Sequence, residues 1–187
     1  MKSRFLLLFA LGISVFSEVK SQIRLPKLIS DNMVLQRDAL IKIWGWASPK
    51  EKISLVLNKK TYKTTTSESG KWELILPSQP SGTGVQIVLK GTNEIKINNV
   101  AFGDVYFCSG QSNMVHQMEL HQVLYAKDIA EANNSNIRQF WIPTSTSLSE
   151  RKDDYLNASW KVCNPENVRQ FSAVAYFFAK NIYENHQ

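Results

Sequence analysis

Between residues 23 and 99 the chain alternates. Ile41-Lys42-Ile43-Trp44, Ile53-Ser54-Leu55-Val56-Leu57, Trp72-Glu73-Leu74-Ile75-Leu76, Val85-Gln86-Ile87-Val88-Leu89 and Ile95-Lys96-Ile97 switch between apolar and polar in short runs. Successive side chains on a strand point to opposite faces, so each run can bury one side and wet the other. Turn signals separate the runs: Ser48-Pro49, Ser69-Gly70, Pro77 to Gly84 and Gly91-Thr92-Asn93. Thr61 to Thr66 adds a threonine-rich strand. Strands spaced about ten residues apart predict a small antiparallel β-sandwich over residues 22–99. Neither a helical period nor a repeat of fixed length occurs there. Trp44 and Trp46 share a strand face, and with Trp72 they suit either a sandwich core or a sugar-stacking platform. Trp141 and Trp160 read as packed side chains.

From Val100 the pattern changes. Val105 to Cys108 is a short continuous apolar run, as expected of a strand buried on both faces in a parallel sheet. A helix is predicted at about residues 119–133, with Val123, Ala126, Ile129 and Ala130 on one side. Ile137 to Ile142 reads as a second strand, stopped by Pro143, and Thr144 to Asn157 as a polar loop. Phe171, Val174, Ala175, Phe178, Ala179 and Ile182 recur at helical spacing and predict an amphipathic helix. Strand, helix, strand, loop and helix make the first βαβα part of an α/β domain over residues 100–187. Two strands and two helices cannot cover both faces of such a sheet, which usually has about five strands. Gly110 is the last glycine of the sequence, although βα connections commonly need positive φ. The expectation is a two-part α+β chain whose second domain is truncated.

Residues 1–21 read as a signal peptide. Lys2 and Arg4 form a basic start, Phe5 to Phe16 an apolar segment too short to span a bilayer comfortably, and Val19 and Ser21 suit a cleavage site. Cleavage near Ser21 predicts a secreted or periplasmic protein with no membrane span after signal removal; an uncleaved anchor is the alternative. The formal net charge of +6 is partly in this leader. The other lysines are scattered among strands, and no basic helix or aromatic-basic motif calls for nucleic acid. Two cysteines, Cys108 and Cys163, are too few for a disulfide scaffold or a metal site. They suit either one bridge or two buried thiols.

The run Gly103-Asp104-Val105-Tyr106-Phe107-Cys108-Ser109-Gly110-Gln111-Ser112-Asn113-Met114 carries the chemistry. A strand ending abruptly at a helix presents a side chain at the sheet edge where ligands bind in open α/β folds. Gly110 would allow a tight turn, Ser112 would project from it, and backbone N–H groups of the following helix could hold an oxyanion. The plainer reading makes Ser112 a helix N-cap. The sequence is not the G-x-S-x-G elbow, because position 114 is Met.

This block resembles the nucleophile block of SGNH-type carbohydrate esterases of the sialate O-acetylesterase group. Arg24 to Asp38, "IWGWASPKEKISLVL", "GKWELILPSQPSGTG", "NIRQFWIP" and "ASWKVCNPENVRQFSAVAYFFAKNIY" are similar to that group in order along the chain. The resemblance implies a flavodoxin-like SGNH hydrolase domain after the sandwich. It implies Ser112 as nucleophile, an acetyl-enzyme, and an O-acetylated carbohydrate as substrate. Gln111 and Asn113 become oxyanion or supporting residues, with no metal and no organic cofactor. The group's Asp-x-x-His element is missing. None of Asp31, Asp38, Asp104, Asp128, Asp153 and Asp154 has a histidine two or three residues later, and His116, His121 and His186 do not complete a triad. The expectation is an exported acetylesterase sequence that is inactive as this chain alone. The alternative is a non-enzymatic, secreted carbohydrate-binding sandwich with a remnant esterase segment.

Overall fold

The computed structural model of the protein describes residues 22–143, 154–155 and 157–185. The expected signal peptide, most of the loop from Thr144 to Asn157, and His186 lie outside them. Seven strands come first: β1 Val34–Gln36, β2 Ile41–Trp46, β3 Lys52–Leu57, β4 Lys60–Thr65, β5 Lys71–Leu76, β6 Gly82–Lys90 and β7 Glu94–Gly103. Five form one sheet in the order β1-β7-β6-β3-β4, and β2 pairs with β5 in a second. The alternation works as read. In β5, Trp72, Leu74 and Leu76 are buried while Lys71, Glu73 and Ile75 are exposed. Leu55, Leu57, Leu76, Ile87 and Leu89 from both sheets are almost fully buried in one cluster. Each such side chain contributes about 1.5–3 kcal/mol relative to leaving it in water.

Two features depart from a simple antiparallel sandwich. β1 runs parallel to β7, with Val34 opposite Ala101 and Gln36 opposite Gly103. β7 also continues through Gly103, past the expected division at residue 99, and buries Val100 and Phe102 in the same cluster. It passes an irregularity on the way. Asn99 has a φ of 52°, and the register with β6 shifts between Val85 and Ile87. Asparagine tolerates this left-handed conformation better than other side-chain-bearing residues.

The second part contains α1 Ser112–Val115, a 3-10 turn at Met118–His121, α2 Ala126–Glu131, β8 Asn134–Phe140, β9 Trp160–Cys163, a 3-10 turn at Asn167–Gln170 and α3 Ala173–Asn185. Several expectations are corrected here. Val105 to Cys108 is neither a strand nor buried: Phe107 is 86% exposed and Cys108 is exposed. A strand buried on both faces needs neighbours on both edges, and none pairs with it among the described residues. The second strand pairs antiparallel with β9, a strand not anticipated, so no parallel βαβ unit forms among the described residues. The helix expected at residues 119–133 is shortened to α2, and Val123 is 90% exposed. The cause is a cross-link upstream. The Met118 N–H donates to Phe171 O at 3.0 Å and the Ala173 N–H to His116 O at 2.9 Å. His116 and Gln117 are thereby held extended against 171–173, and only a 3-10 turn follows at Met118–His121.

α3 forms as expected, but its apolar stripe divides. Ala173 and Tyr176 join a second cluster with Met118, Ile129, Ile137, Cys163 and Val168. Val174 and Phe178 stay exposed, and the Phe178 ring meets Tyr106 edge-on with centroids 5.0 Å apart. Cys108 and Cys163 are both free. Burial pushes the Cys163 thiol above its ordinary value, which suppresses the reactive thiolate. A thiol reagent added to the native chain is therefore expected to modify Cys108 quickly and Cys163 only on unfolding. Equal rates at the two positions would contradict this placement.

Candidate active site

The segment that carries Ser112 leaves the end of β7 through a polar clamp. Arg37 Nε donates to Asp104 Oδ1 at 3.0 Å and Nη2 to Oδ2 at 3.2 Å. From β1, Gln36 Nε2 donates to Asp104 Oδ1 at 3.3 Å, and its Oε1 accepts the Val105 N–H at 2.9 Å. The Arg37 guanidinium holds the Asp104 carboxyl below its ordinary value. A depressed carboxylate stabilises the fold above its unfolded pKa of about 3.9 and loses that contribution as pH falls through the lower folded value. Stability of the native chain relative to Asp104→Asn is thus expected to shrink from about pH 5 downwards, and denaturation midpoints across that range measure it. A gap that does not change with pH would mean the clamp carries no charge interaction.

The turn itself is closed by backbone. The Met114 and Val115 N–H groups donate to Gln111 O at 2.9 and 3.1 Å. Gln111 occupies the cap position of α1, with no side-chain cap bond. Ser112 is therefore the first helical residue and not the N-cap. Its side chain is exposed, and its hydroxyl has no hydrogen-bond partner among the described residues. Gln111 and Asn113 are exposed as well, and neither amide side chain bonds a described residue, so they do not fix the turn in the way expected of them. Gly110 does not require positive φ; a Cβ placed there would meet only Met114 Cβ, at 3.4 Å.

What holds the turn from below is Ser172, which sequence reasoning passed over. It is 1% exposed. Its Oγ–H donates to Met114 Sδ at 3.6 Å, and its Oγ accepts the Ala175 N–H at 3.4 Å. The Ser172 N–H donates to Gln139 Oε1 at 3.1 Å. Ser172 is thus both the cap of α3 and the seat of Met114, tying the motif's last residue to α3 and β8. A serine immediately before a helical apolar pattern was the available signal.

The histidines do not serve Ser112. His116 and His121 stack on each other with ring centroids 4.6 Å apart, and neither is hydrogen-bonded to the Ser112 hydroxyl. None of the described histidines, cysteines and carboxylates group in a way that could hold a metal ion. No described helix is long and apolar enough to cross a membrane. What the residues provide is an accessible hydroxyl on a firmly seated turn, with no described group to take its proton.

Comparison with known proteins agrees with the motif. The chain is 30% identical to the sialate O-acetylesterase of Rattus norvegicus over an alignment that covers 88% of this chain and 34% of that protein. It is 26% identical to the sialate O-acetylesterase of Homo sapiens, again over 88% of this chain and 35% of that one. Among solved structures it is similar to a carbohydrate acetylesterase from Xanthomonas citri, with a TM-score of 0.82 and 31% identity over 88% of this chain and 38% of the other. No protein-family model matches the chain. The mixed α/β fold is similar to that of this carbohydrate acetylesterase. The relatives it matches are sialate O-acetylesterases, and the chain spans about a third of their length, 35% of the human protein.

Proposed function

We propose that this protein is part of an exported O-acetylesterase acting on carbohydrate, with Ser112 as its nucleophile and the leader at residues 1–21 cleaved near Ser21. The observation that carries the reading is the open, unpartnered Ser112 hydroxyl on a turn held by Ser172 and Gln139. The relatives named above support an acetylated sugar as substrate. In the reaction, Ser112 Oγ bonds to the acetyl carbonyl carbon and its proton passes to a histidine base. The tetrahedral intermediate collapses, the C–O bond to the sugar breaks, and the sugar oxygen takes the proton. Water then attacks the acetyl-serine and releases acetate. Backbone N–H groups of the turn supply part of the oxyanion site.

No described histidine or carboxylate partners Ser112, and a serine without a base is a poor nucleophile at neutral pH. We therefore expect little or no turnover from these 187 residues alone. The test is a hybrid in which the rest of a sialate O-acetylesterase relative follows Gln187, assayed on 4-nitrophenyl acetate. Turnover that depends on Ser112 supports the proposal; turnover undiminished by Ser112→Ala overturns it.

A further inference from the structure

The two parts of the chain differ in how well they cover their own apolar side chains. Among the described residues the sandwich leaves only Leu28, Leu40 and Ile75 exposed, whereas eleven large apolar side chains are exposed after Gly103. Four of these lie together. Tyr106 and Phe107 follow the Asp104 clamp, and the Tyr106 ring meets Phe178 of α3 edge-on. Val174 stands one helical turn before Phe178, on the same side of α3. Single exposed apolar residues are ordinary, but a contiguous group of them marks an interaction surface.

The backbone beside them is open too. Gln36 Oε1 accepts the Val105 N–H, but from Tyr106 to Ser109 no N–H or C=O group bonds a described residue. Unpaired backbone groups between apolar side chains are what a strand shows before its neighbour is in place. Side chains alternate along such a run, which sends Tyr106 and Phe107 to opposite faces. α3 lies against the Tyr106 face, and the Phe107 face is open.

We infer that this surface is where the rest of an esterase chain docks, adding a strand beside Val105 to Cys108 and an apolar cover over Phe107. The inference rests on the esterase reading of Ser112. About two-thirds of each curated relative lies outside its match to this chain, so in those proteins this fold is one part of a larger one. Position argues for the same occupant. Ser112 follows the open run at once, so a strand paired there ends beside its hydroxyl, where the missing proton acceptor has to be delivered. A lipid surface would bury the open N–H and C=O groups unpaired. A second copy pairing through a two-fold axis would close one edge of the run and leave the other open.

The test is amide hydrogen exchange on the native chain and on the hybrid in which the rest of a sialate O-acetylesterase relative follows Gln187. In the native chain the amides of residues 106–109 are expected to exchange at nearly unprotected rates. In the hybrid the same amides are expected to slow by about 100-fold or more. Phe107→Asp should lower the denaturation midpoint of the hybrid and leave that of the native chain unchanged. Fast exchange at residues 106–109 in a folded hybrid overturns the inference even where Ser112 turns over substrate. Slow exchange in a hybrid without turnover supports the docking and counts against the esterase reading instead. Protection in the native chain alone also overturns it, and protection that rises with concentration assigns the surface to a second copy. So does a native chain destabilised by Phe107→Asp, and these two native-chain measurements decide the matter should the hybrid fail to fold.

Discussion

Replacing Ser112 with alanine in an active hybrid is expected to lower kcat/KM on 4-nitrophenyl acetate by on the order of 10⁴-fold or more, as removing the nucleophile does in serine hydrolases generally. The size follows from chemistry: without Oγ no acetyl-enzyme forms, and the two easier steps revert to one hard one. Ser109, three positions earlier on the same exposed run, is the matched control, and Ser109→Ala should cost far less. Mass spectrometry of the quenched hybrid should find acetyl on the peptide containing Ser112. Acetyl on Ser109, or equal losses from the two variants, would reassign the nucleophile.

Arg138→Ala is expected to destabilise the fold by about 2–4 kcal/mol, the second large effect. Arg138 stands on β8 but serves the first sheet. Its Nη1 donates to Asn32 O at 3.0 Å, to Met33 O at 3.4 Å and, closely, to Asn99 O, while Nη2 reaches Asn99 Oδ1 at 3.3 Å. Burial lowers the pKa of this guanidinium, yet an arginine keeps its charge. Its loss would strand carbonyls at the β7 irregularity, where Asn32 and Asn99 both hold positive φ. Arg138→Lys should rescue little, since one ammonium cannot span the same acceptors. Chemical denaturation measures both variants, and a change below about 0.5 kcal/mol for Arg138→Ala would show the contact to be incidental.

The first half of the chain was legible because its signal is local. Period-two alternation marked β2, β3, β5 and β6, and turn residues marked their ends. The parallel pairing of β1 with β7 was not, because nothing in three residues of β1 names a partner so distant in sequence. The second half was legible in pieces. α3 and β8 were found, but Val105 to Cys108 reads as a strand by composition while lacking neighbours, and His116 and Gln117 are held extended by distant carbonyls and amides. Ser112 was singled out through its motif, and it stands exposed as the first residue of α1. Ser172, Gln139 and Arg138 were missed because their roles exist only once β8 and α3 have been brought against the turn and the sheet edge.

The parallel alignment of β1 with β7 has a mechanical consequence. Its last rung, Gln36 beside Gly103, sits one residue before the Asp104 clamp. A slip of that ladder by a single residue would carry the Ser112 loop about 3.3 Å along the strand and reverse which way its root faces. The hydroxyl's address is thus written in the hydrocarbon packing of a sheet that contributes no reactive group, and loops elsewhere on the sandwich are free to vary without disturbing it.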